Sequence, residues 1–364
     1  MLILISTYGN KVLLSSDLKQ HITSKKQGSI YNNEKGLNKA LENMLQKNII
    51  EATAQAKKLH GGTVAEVLLV QGIATTDTHD EIPYKLVHKI QKQWKRRADE
   101  DSWRREYDLY KSELSSHMTD DLRWPTCYHL EQQVDQVQIW MEFIDGVTGH
   151  DLTLDMFKLA AKEMGRFQGR LLRDKPPLLN DLSNLSRESM IKEVYQSYIS
   201  WPETYDYIRS ETCELPHHIC QMLIKNDESA KDLWQAIENL PVTLSHRDYW
   251  VTNIFYVKDQ IRLIDWDTTG WGAIGEDIAS LIIDETAPDM IHDYYKTCVP
   301  AYLEGLSEFI DMSKYQDIYI YEQILLFFGY RMVEGFKFSE SENDRKYCLD
   351  VLQKLYELKA NEKC

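Results

Sequence analysis

Polar residues near position 250 have the types and the spacing that phosphoryl transfer requires. Asp248 follows His246 by two positions, and Asn253 follows Asp248 by five. An Asp on a loop can accept the proton of an attacking hydroxyl, while an Asn and a later Asp offer oxygen ligands to Mg²⁺. Phosphoryl transfer depends on such positioning and charge neutralisation, with little covalent help from the protein. The pattern therefore indicates a loop that can orient a hydroxyl beside a cation.

A predicted hairpin completes this arrangement. Residues 253–257 have strand character, residues 258–260 form a short turn, and residues 261–265 return as a second strand. The hairpin would place Asp265 next to Asn253, so that two oxygen ligands converge on one hard cation.

The segment resembles the aminoglycoside phosphotransferase and choline kinase superfamily, whose members have a kinase-like fold and phosphorylate small molecules. Their loop usually reads His-Gly-Asp-x4-Asn and is followed by Ile-Asp-Trp. This chain has His246-Arg247-Asp248, then Asn253, then Ile264-Asp265-Trp266. The resemblance implies that Asp248 is the catalytic base and that Asn253 and Asp265 hold magnesium.

Downstream, Glu276-Asp277-Ile278-Ala279 also resembles the family, and Asp277 would tie the loop to the start of a helix. The chain departs from the pattern at Arg247, where Gly is commoner, and at Val251-Thr252, where Pro-Gly is common. Neither departure removes a predicted ligand, but both prevent the assignment of the chain to a subfamily.

A kinase-like fold must also supply a strand lysine, a glutamate on the next helix and a turn over the phosphates. Lys89 lies in a predicted strand at 86–90, and Glu106 lies 17 residues later in a charged helix predicted at about 99–114. The resemblance makes them the phosphate lysine and its partner. Lys85 is the alternative, because strand parity puts it on the same face, and an edge-strand role is another interpretation of Lys89.

The remaining nucleotide contacts have weaker signals. Gly61 and Gly62 are candidates for the phosphate turn, although they do not form Gly-x-Gly-x-x-Gly and suit a plain turn equally well. Residues 140–146 resemble a hinge strand, in which adenine would bond to the backbone at Glu142 and Ile144. A buried strand end is the competing interpretation.

The surrounding pattern predicts an α+β, two-lobed, protein-kinase-like fold. Residues 1–145 would form a β-rich nucleotide-binding lobe, with one helix near residues 37–45. Residues 146–364 would form a mainly helical catalytic and substrate lobe, including a helix that Thr153 caps. The apolar stretch 318–328 reads as a buried helix, although its Ile and Tyr alternation also suits a strand.

The net charge and the cysteine usage limit the classes of binding partner and cellular location that we expect. The 364 residues carry a formal net charge of −15, which gives no general attraction to nucleic acid or anionic membranes and favours a cationic partner. The six cysteines form no Cys-x-x-Cys pair, and we find neither a signal peptide nor a membrane span. A cytoplasmic protein with free thiols is expected.

We therefore expect transfer of the γ-phosphate of ATP, or of GTP, to a hydroxyl of a small-molecule acceptor, with Mg²⁺ as cofactor. Antibiotic-type, amino-alcohol and sugar acceptors stay open, because acceptor specificity has no fixed motif. A catalytically silent scaffold with this fold is the alternative from another class. A protein kinase is disfavoured, because only Ala287-Pro288-Asp289 approaches an Ala-Pro-Glu signature.

Overall fold

The computed structural model of the chain describes residues 29–31, 33–59, 64–94, 101–181, 190–315 and 317–361. Within them the chain divides into two units. The first contains residues up to 94 together with residues 125–143, and the second contains residues 95–124 together with those from 144 onward. The predicted division at residue 145 stays a prediction.

The described strands are β1 (Ser29–Ile30), β2 (Ile49–Lys58), β3 (Ala65–Thr76), β4 (Glu81–Lys92), β5 (Leu122–Arg123), β6 (Cys127–Gln132), β7 (Gln136–Glu142), β8 (Val147–Thr148), β9 (Val242–Ser245), β10 (Ile254–Val257), β11 (Gln260–Leu263) and β12 (Gly270–Ala273). The described α-helices are α1 (Glu34–Leu45), α2 (Arg105–Lys111), α3 (Leu154–Asp174), α4 (Leu178–Asp181), α5 (Met190–Ile199), α6 (Pro202–Tyr205), α7 (His217–Glu238), α8 (Glu276–Ile283), α9 (Ile291–Ser307), α10 (Ile320–Ile324), α11 (Tyr330–Phe338) and α12 (Glu342–Asn361). Short 3₁₀ turns at Ser102–Arg104 and Leu114–His117 flank α2.

In the described part of the first unit, one sheet has the strand order β1-β2-β3-β4-β7-β6. Helix α1 packs on this sheet through Leu37 and Leu41, which are buried with Leu86 and Trp140. The helix begins after Asn33, whose side chain accepts a hydrogen bond from the Gly36 amide at 3.2 Å. The helix predicted from Leu37 to Leu45 is therefore confirmed.

A buried polar chain crosses the core of the first unit. His88 Nδ1 lies 2.8 Å from the Tyr31 hydroxyl, and His88 Nε2 lies 2.9 Å from Gln138 Oε1. The Trp140 indole N–H donates to the Tyr31 hydroxyl at 2.9 Å, and its ring stacks on the imidazole at 4.2 Å between centroids. Burial lowers the pKa of His88 to about 4, since the charged imidazolium cannot be solvated there.

The second unit is built around two closely packed helices, α3 and α9. Thr153 caps α3 as predicted, and its hydroxyl accepts from the Met156 amide at 3.4 Å. A Cβ added at Gly165 would lie 2.2 Å from the Tyr302 carbonyl oxygen, and one at Gly305 would lie 2.1 Å from the Lys162 carbonyl oxygen. The two glycines thus allow the helix backbones to approach closely.

The apolar segment predicted at 318–328 is largely helical and buried. Its residues form α10 and then a π-helical turn, Leu325–Gly329, that runs into α11. The strand interpretation of its Ile and Tyr alternation is wrong, because Tyr319 has a left-handed backbone and Ile320 and Tyr321 begin α10. None of the helices within the described ranges is long and apolar enough to cross a membrane.

Two small sheets of the second unit carry the chemistry-bearing loop. One has the order β5-β11-β10-β8, and the other pairs β12 with β9. Strand β9 leads directly into residues 246–253, which β10 follows, so both ends of the loop are held by sheet pairing.

Candidate functional site

The predicted hairpin between Asn253 and Asp265 is present. Strands β10 and β11 are antiparallel, with Ile254 opposite Leu263 and Val257 opposite Gln260. The Ile264 amide donates to the Asn253 carbonyl at 3.0 Å, which extends the pairing to the residue before Asp265. Asp265 then turns away in a left-handed conformation with φ of 65°. The hairpin therefore brings Asn253 and Asp265 to the same end of two paired strands.

Asn253 contacts Asp248 directly. Its side-chain Nδ2 donates to the Asp248 carbonyl at 2.9 Å and to Asp248 Oδ2 at 2.8 Å. Because both contacts use the amide nitrogen, the amide oxygen Oδ1 faces elsewhere and keeps its acceptor capacity. One side chain thus orients the predicted base and can offer an oxygen ligand.

His246 fixes the loop to the hairpin. Its Nδ1 accepts from the Asp248 amide at 3.3 Å, and its Nε2 lies 3.0 Å from the Ile264 carbonyl oxygen. These partners place the imidazole proton on Nε2, since a carbonyl can only accept. The buried ring also meets Trp266 edge-on, with 4.7 Å between centroids. His246 thus links the backbone at Asp248 to the end of the hairpin through its two ring nitrogens.

Asp277 holds the backbone of the same loop. Its carboxylate accepts from the His246 amide at 3.0 Å and from the Arg247 amide at 2.8 Å. Gln168 donates to it at 2.9 Å and in turn accepts from the Tyr302 hydroxyl at 2.5 Å. Burial raises the pKa of Asp277 to about 6, although the backbone N–H groups favour its charged form. The predicted tie between the loop and the start of α8 is confirmed.

Arg247 is buried, and its backbone is left-handed with φ of 66°. Its Nη2 donates to the Trp271 carbonyl at 2.5 Å, and its Nε lies 3.6 Å from Glu276 Oε1. Burial raises the pKa of Glu276 to about 7, an effect that the Arg247 charge opposes. Arg247, which stands where the resembling family usually has glycine, is therefore buried beneath the loop and contacts β12 and α8.

Acidic groups surround Asp248. The Asp248 residue is half-buried, and desolvation of its carboxyl group raises its pKa well above the ordinary value. Repulsion from Asp265, Asp267 and Asp284 raises the pKa further, while the Asn253 amide opposes the shift. Such a concentration of negative charge favours a cation in this loop.

The donor set suits magnesium in chemical type. Asn253 and Asp265 offer one amide and one carboxylate oxygen, and Mg²⁺ is usually bound by one or two such protein oxygens with phosphates and waters. Across the described ranges no group of three or more His, Cys, Asp or Glu residues could hold a metal. A site of this kind would therefore depend on the nucleotide for several of its ligands.

Lys89 lies at the centre of the first unit's sheet. It is opposite Val67 of β3 and Ile139 of β7, and only 8% of it is exposed. The edge-strand interpretation of Lys89 is wrong, because β4 is paired on both sides. Lys85 on the same strand is exposed, with its ammonium 3.5 Å from the centroid of the Phe143 ring.

Of the other residues predicted to contact the nucleotide, the structure describes three and leaves two outside its described ranges. Glu106 is buried in α2 of the second unit. Gly61 and Gly62 lie outside the described residues. Glu142 ends β7, and its backbone amide donates to the Thr126 carbonyl at 2.9 Å. A backbone bond from adenine to Glu142 would therefore use the Glu142 carbonyl oxygen as the acceptor. Ile144 is half-buried.

Sequence reasoning missed three residues that shape the loop. Gln168 reaches Asp277 from α3, the Tyr249 hydroxyl donates to the Ala160 carbonyl at 2.8 Å, and Glu276 faces Arg247. The adjacency of Glu276 to Asp277 was a usable signal, since both begin α8. Nothing local marks Gln168, which is distant in the sequence.

A family model describes part of this chain. The ecdysteroid kinase-like family matches residues 154–315, less than half of the chain but including the whole loop and hairpin. Among curated proteins, none matches the sequence. The family model supports the resemblance read from the loop.

Solved structures share the fold at low identity. A choline kinase from Cryptosporidium parvum Iowa II is 17% identical, with a TM-score of 0.50, and the match covers 85% of this chain and 91% of that one. The amicoumacin kinase hAmiN, solved with AMP-PNP, Ca²⁺ and Ami, is 13% identical, with a TM-score of 0.51 and coverage of 83% and 88%. An APH(2") enzyme, solved with GDP and kanamycin, is 13% identical, with a TM-score of 0.53 and coverage of 89% and 98%.

These likenesses confirm the predicted fold. The chain has an α+β structure, with a sheet-rich amino-terminal region and a helical carboxy-terminal region, like these kinases. The match of residues 154–315 to the ecdysteroid kinase-like model is a second similarity to kinases, and it lies in the part of the chain that carries the loop.

Proposed function

We propose that this protein is a magnesium-dependent phosphotransferase that moves the γ-phosphate of ATP, or of GTP, to a hydroxyl of a small molecule. The observation that carries the proposal is the direct contact of Asn253 with Asp248 at the end of the hairpin that bears Asp265. A proton acceptor and two cation ligands in one fixed loop are what phosphoryl transfer requires.

In this proposal Asp248 orients the acceptor hydroxyl and takes its proton. The Asn253 amide holds the Asp248 carboxylate in one orientation, while His246 accepts from the Asp248 amide and Asp277 accepts from the amides of the two preceding residues. Such a pre-formed arrangement lowers the entropic part of the barrier, because the base need not search for its position.

Asn253 Oδ1 and the Asp265 carboxylate would hold magnesium, whose charge would neutralise the nucleotide phosphates. The acidic residues around the loop would otherwise repel a nucleotide, so binding should depend strongly on the cation.

Lys89 is our candidate for a nucleotide phosphate contact, and Glu106 for its partner. Burial of Lys89 in a doubly paired strand supports a role beyond solubility, since lysine is seldom buried without a partner. Gly61, Gly62, Glu142 and Ile144 stay predictions for the phosphate turn and the adenine contacts.

The acceptor is proposed as a small hydroxyl compound, and a cationic one fits the acidic surroundings of Asp248. Proteins of the same fold include a choline kinase and an enzyme solved with kanamycin, so amino alcohols and aminoglycosides are the first compounds to screen. A cytoplasmic location is proposed from the cysteine usage alone.

Thermal shift with ATP or GTP, with and without Mg²⁺, tests the proposal. We expect a magnesium-dependent rise in melting temperature for the wild type and its loss in Asp265→Ala. Asp259→Ala, in the turn of the same hairpin, is the matched control and should keep the rise.

Turnover separates the enzyme from a scaffold. Release of ADP or GDP with an acceptor panel should be detected in the wild type and abolished in Asp248→Asn. No shift with either nucleotide at millimolar concentration would contradict the proposal and favour the silent scaffold. Nucleotide binding without turnover of any acceptor would point to the same alternative.

A further inference from the structure

Arg247 occupies a backbone position that would suit glycine better. Its φ of 66° lies in the left-handed region, which a side-chain-bearing residue adopts only against a steric cost. Glycine would meet the same backbone without that cost. A strained residue directly before the proposed base suggests that its side chain does something that glycine cannot.

The side chain of Arg247 is enclosed and holds two other elements. Only 3% of it is exposed, and it contacts the Trp271 carbonyl of β12 and the Glu276 carboxylate at the start of α8. A buried guanidinium needs a paired anion, and the Glu276 side chain is itself only 6% exposed. Each member of the pair therefore compensates the buried charge of the other.

Gly272 provides the space for this pair. A Cβ at this position would lie 2.4 Å from Glu276 Oε2 and 2.5 Å from Ser245 Oγ. Any side chain at 272 would thus displace the carboxylate that faces Arg247. The absence of a side chain at Gly272 thus leaves room for the Glu276 carboxylate to face Arg247.

The next residue of α8 completes the arrangement. Asp277 accepts the amides of His246 and Arg247, so the two consecutive acids that open α8 hold the backbone and the side chain of Arg247. The peptide that leads into Asp248 is thereby fixed from two directions.

We propose that Arg247 and Glu276 are positioning residues, a buried ion pair that fixes the orientation of Asp248 for transfer. This inference rests on the proposed function. It predicts that loss of the pair lowers kcat, because a small displacement of a base from its acceptor has a large effect on rate. Nucleotide binding should change little, since the pair lies beneath the loop.

The decisive comparison uses the double variant Arg247→Gly/Glu276→Gln. Glycine suits the backbone and no unpaired charge is left buried, so we expect the double variant to fold and to melt above Arg247→Gly alone, although the Trp271 carbonyl loses its donor. We expect kcat to fall by at least about tenfold, with KM for the nucleotide changed by less than about threefold. If the double variant instead has the kcat of the wild type, the pair has only a structural role and the proposal is overturned.

A conservative variant provides a matched control. Arg247→Lys keeps the charge but loses the planar fork, and we expect it to lower kcat as the double variant does. Arg166→Lys alters another arginine of the second unit, which pairs with Glu163 and Glu308 away from the loop. It should keep kcat, and an equal loss there would contradict a specific role of Arg247.

Hydrogen exchange keeps this test separate from the proposed function. The His246 and Arg247 amides should exchange faster in the double variant than in the wild type, whether or not an acceptor is known. If the wild type shows no turnover, the proposed function fails, and exchange alone decides whether the pair holds the loop. Unchanged exchange in the double variant would overturn the inference.

Discussion

At the scale of single residues, the contact between Asn253 and Asp248 can be tested by one substitution that keeps the size of the side chain. Its Nδ2 donates to Asp248 Oδ2 at 2.8 Å. In Asn253→Asp a second carboxyl group would face Asp248, and two carboxyls at this distance bind a shared proton, so Asp248 loses both its amide donor and its free acceptor capacity. We expect turnover to fall by roughly 100-fold or more, because the base loses its orientation.

The control for this substitution is Asn239→Asp, the same chemical change at an exposed helix end. It should keep turnover and melting temperature. Full activity in Asn253→Asp would show that the amide nitrogen is not needed to hold Asp248.

Asp277 offers a prediction about stability. In Asp277→Asn one carboxylate oxygen is replaced by an N–H group that faces a backbone amide, so at least one buried donor loses its acceptor. We expect the free energy of unfolding to fall by about 2–3 kcal/mol. Urea unfolding of the two proteins measures this difference, and a change within error would contradict the contacts described for Asp277.

The residues that a motif defines were accessible from the sequence, while their supports were not. The spacing of Asp248, Asn253 and Asp265 is local, and a hairpin brings them together without distant contacts. Gln168 and Glu276 act across the fold, and their roles depend on how α3 and α8 pack. Single-sequence periodicity carries no information about such packing.

At the scale of elements, the crossing of α3 and α9 determines where Gln168 and Tyr302 meet. Gly165 and Gly305 face backbone atoms of the opposite helix, which cannot move aside as a side chain can. We expect Gly165→Ala to lower the free energy of unfolding by about 2–3 kcal/mol, because the helices must separate to admit a methyl group.

Gly335→Ala is the matched control for this helix crossing. It is also a helical glycine, but its added Cβ would meet the Cys348 sulfur at 2.7 Å, which is the end of a side chain. The loss of stability should be clearly smaller than in Gly165→Ala. Equal losses, measured by urea unfolding, would mean that the backbone contact at Gly165 has no special effect.

Elements with strong amphipathic or strand patterns were predicted well, and irregular ones were not. Helix α3 and its Thr153 cap follow from periodicity and capping chemistry. The π-helical turn at 325–329 could not be predicted, since an extra residue per turn arises from packing in an apolar segment without polar markers. Helix α2 is also shorter than predicted, because 3₁₀ turns flank it.

At the scale of the whole molecule, buried acids of the second unit and a buried histidine of the first unit should respond to acid in opposite directions. Glu276 and Asp277 in the second unit have pKa values of about 7 and about 6, above those of exposed carboxyls. The folded state therefore binds their protons more tightly than the unfolded state, and the cost of burying these two carboxyls falls as the pH drops through 7 and 6. His88 in the first unit behaves in the reverse way.

The pKa of His88 falls from 6.5 to about 4 on folding, so the unfolded chain binds its proton more tightly. The stability that neutral His88 provides is complete above pH 6.5 and is lost progressively as the pH falls from 6.5 toward 4. Between pH 7.5 and pH 5 this loss is about 2 kcal/mol. His88→Gln should be less stable at pH 7.5, because the bonds to Tyr31 and Gln138 are disturbed, but it should lose about 2 kcal/mol less on acidification.

Urea unfolding at the two pH values, followed by hydrogen exchange of β4 so that the first unit is observed, measures this difference. Leu41→Ala is the control, because it destabilises the same core without removing a titrating group. It should lose as much stability on acidification as the wild type does. An equal acid response in His88→Gln and Leu41→Ala would show that His88 does not determine the acid sensitivity of the first unit.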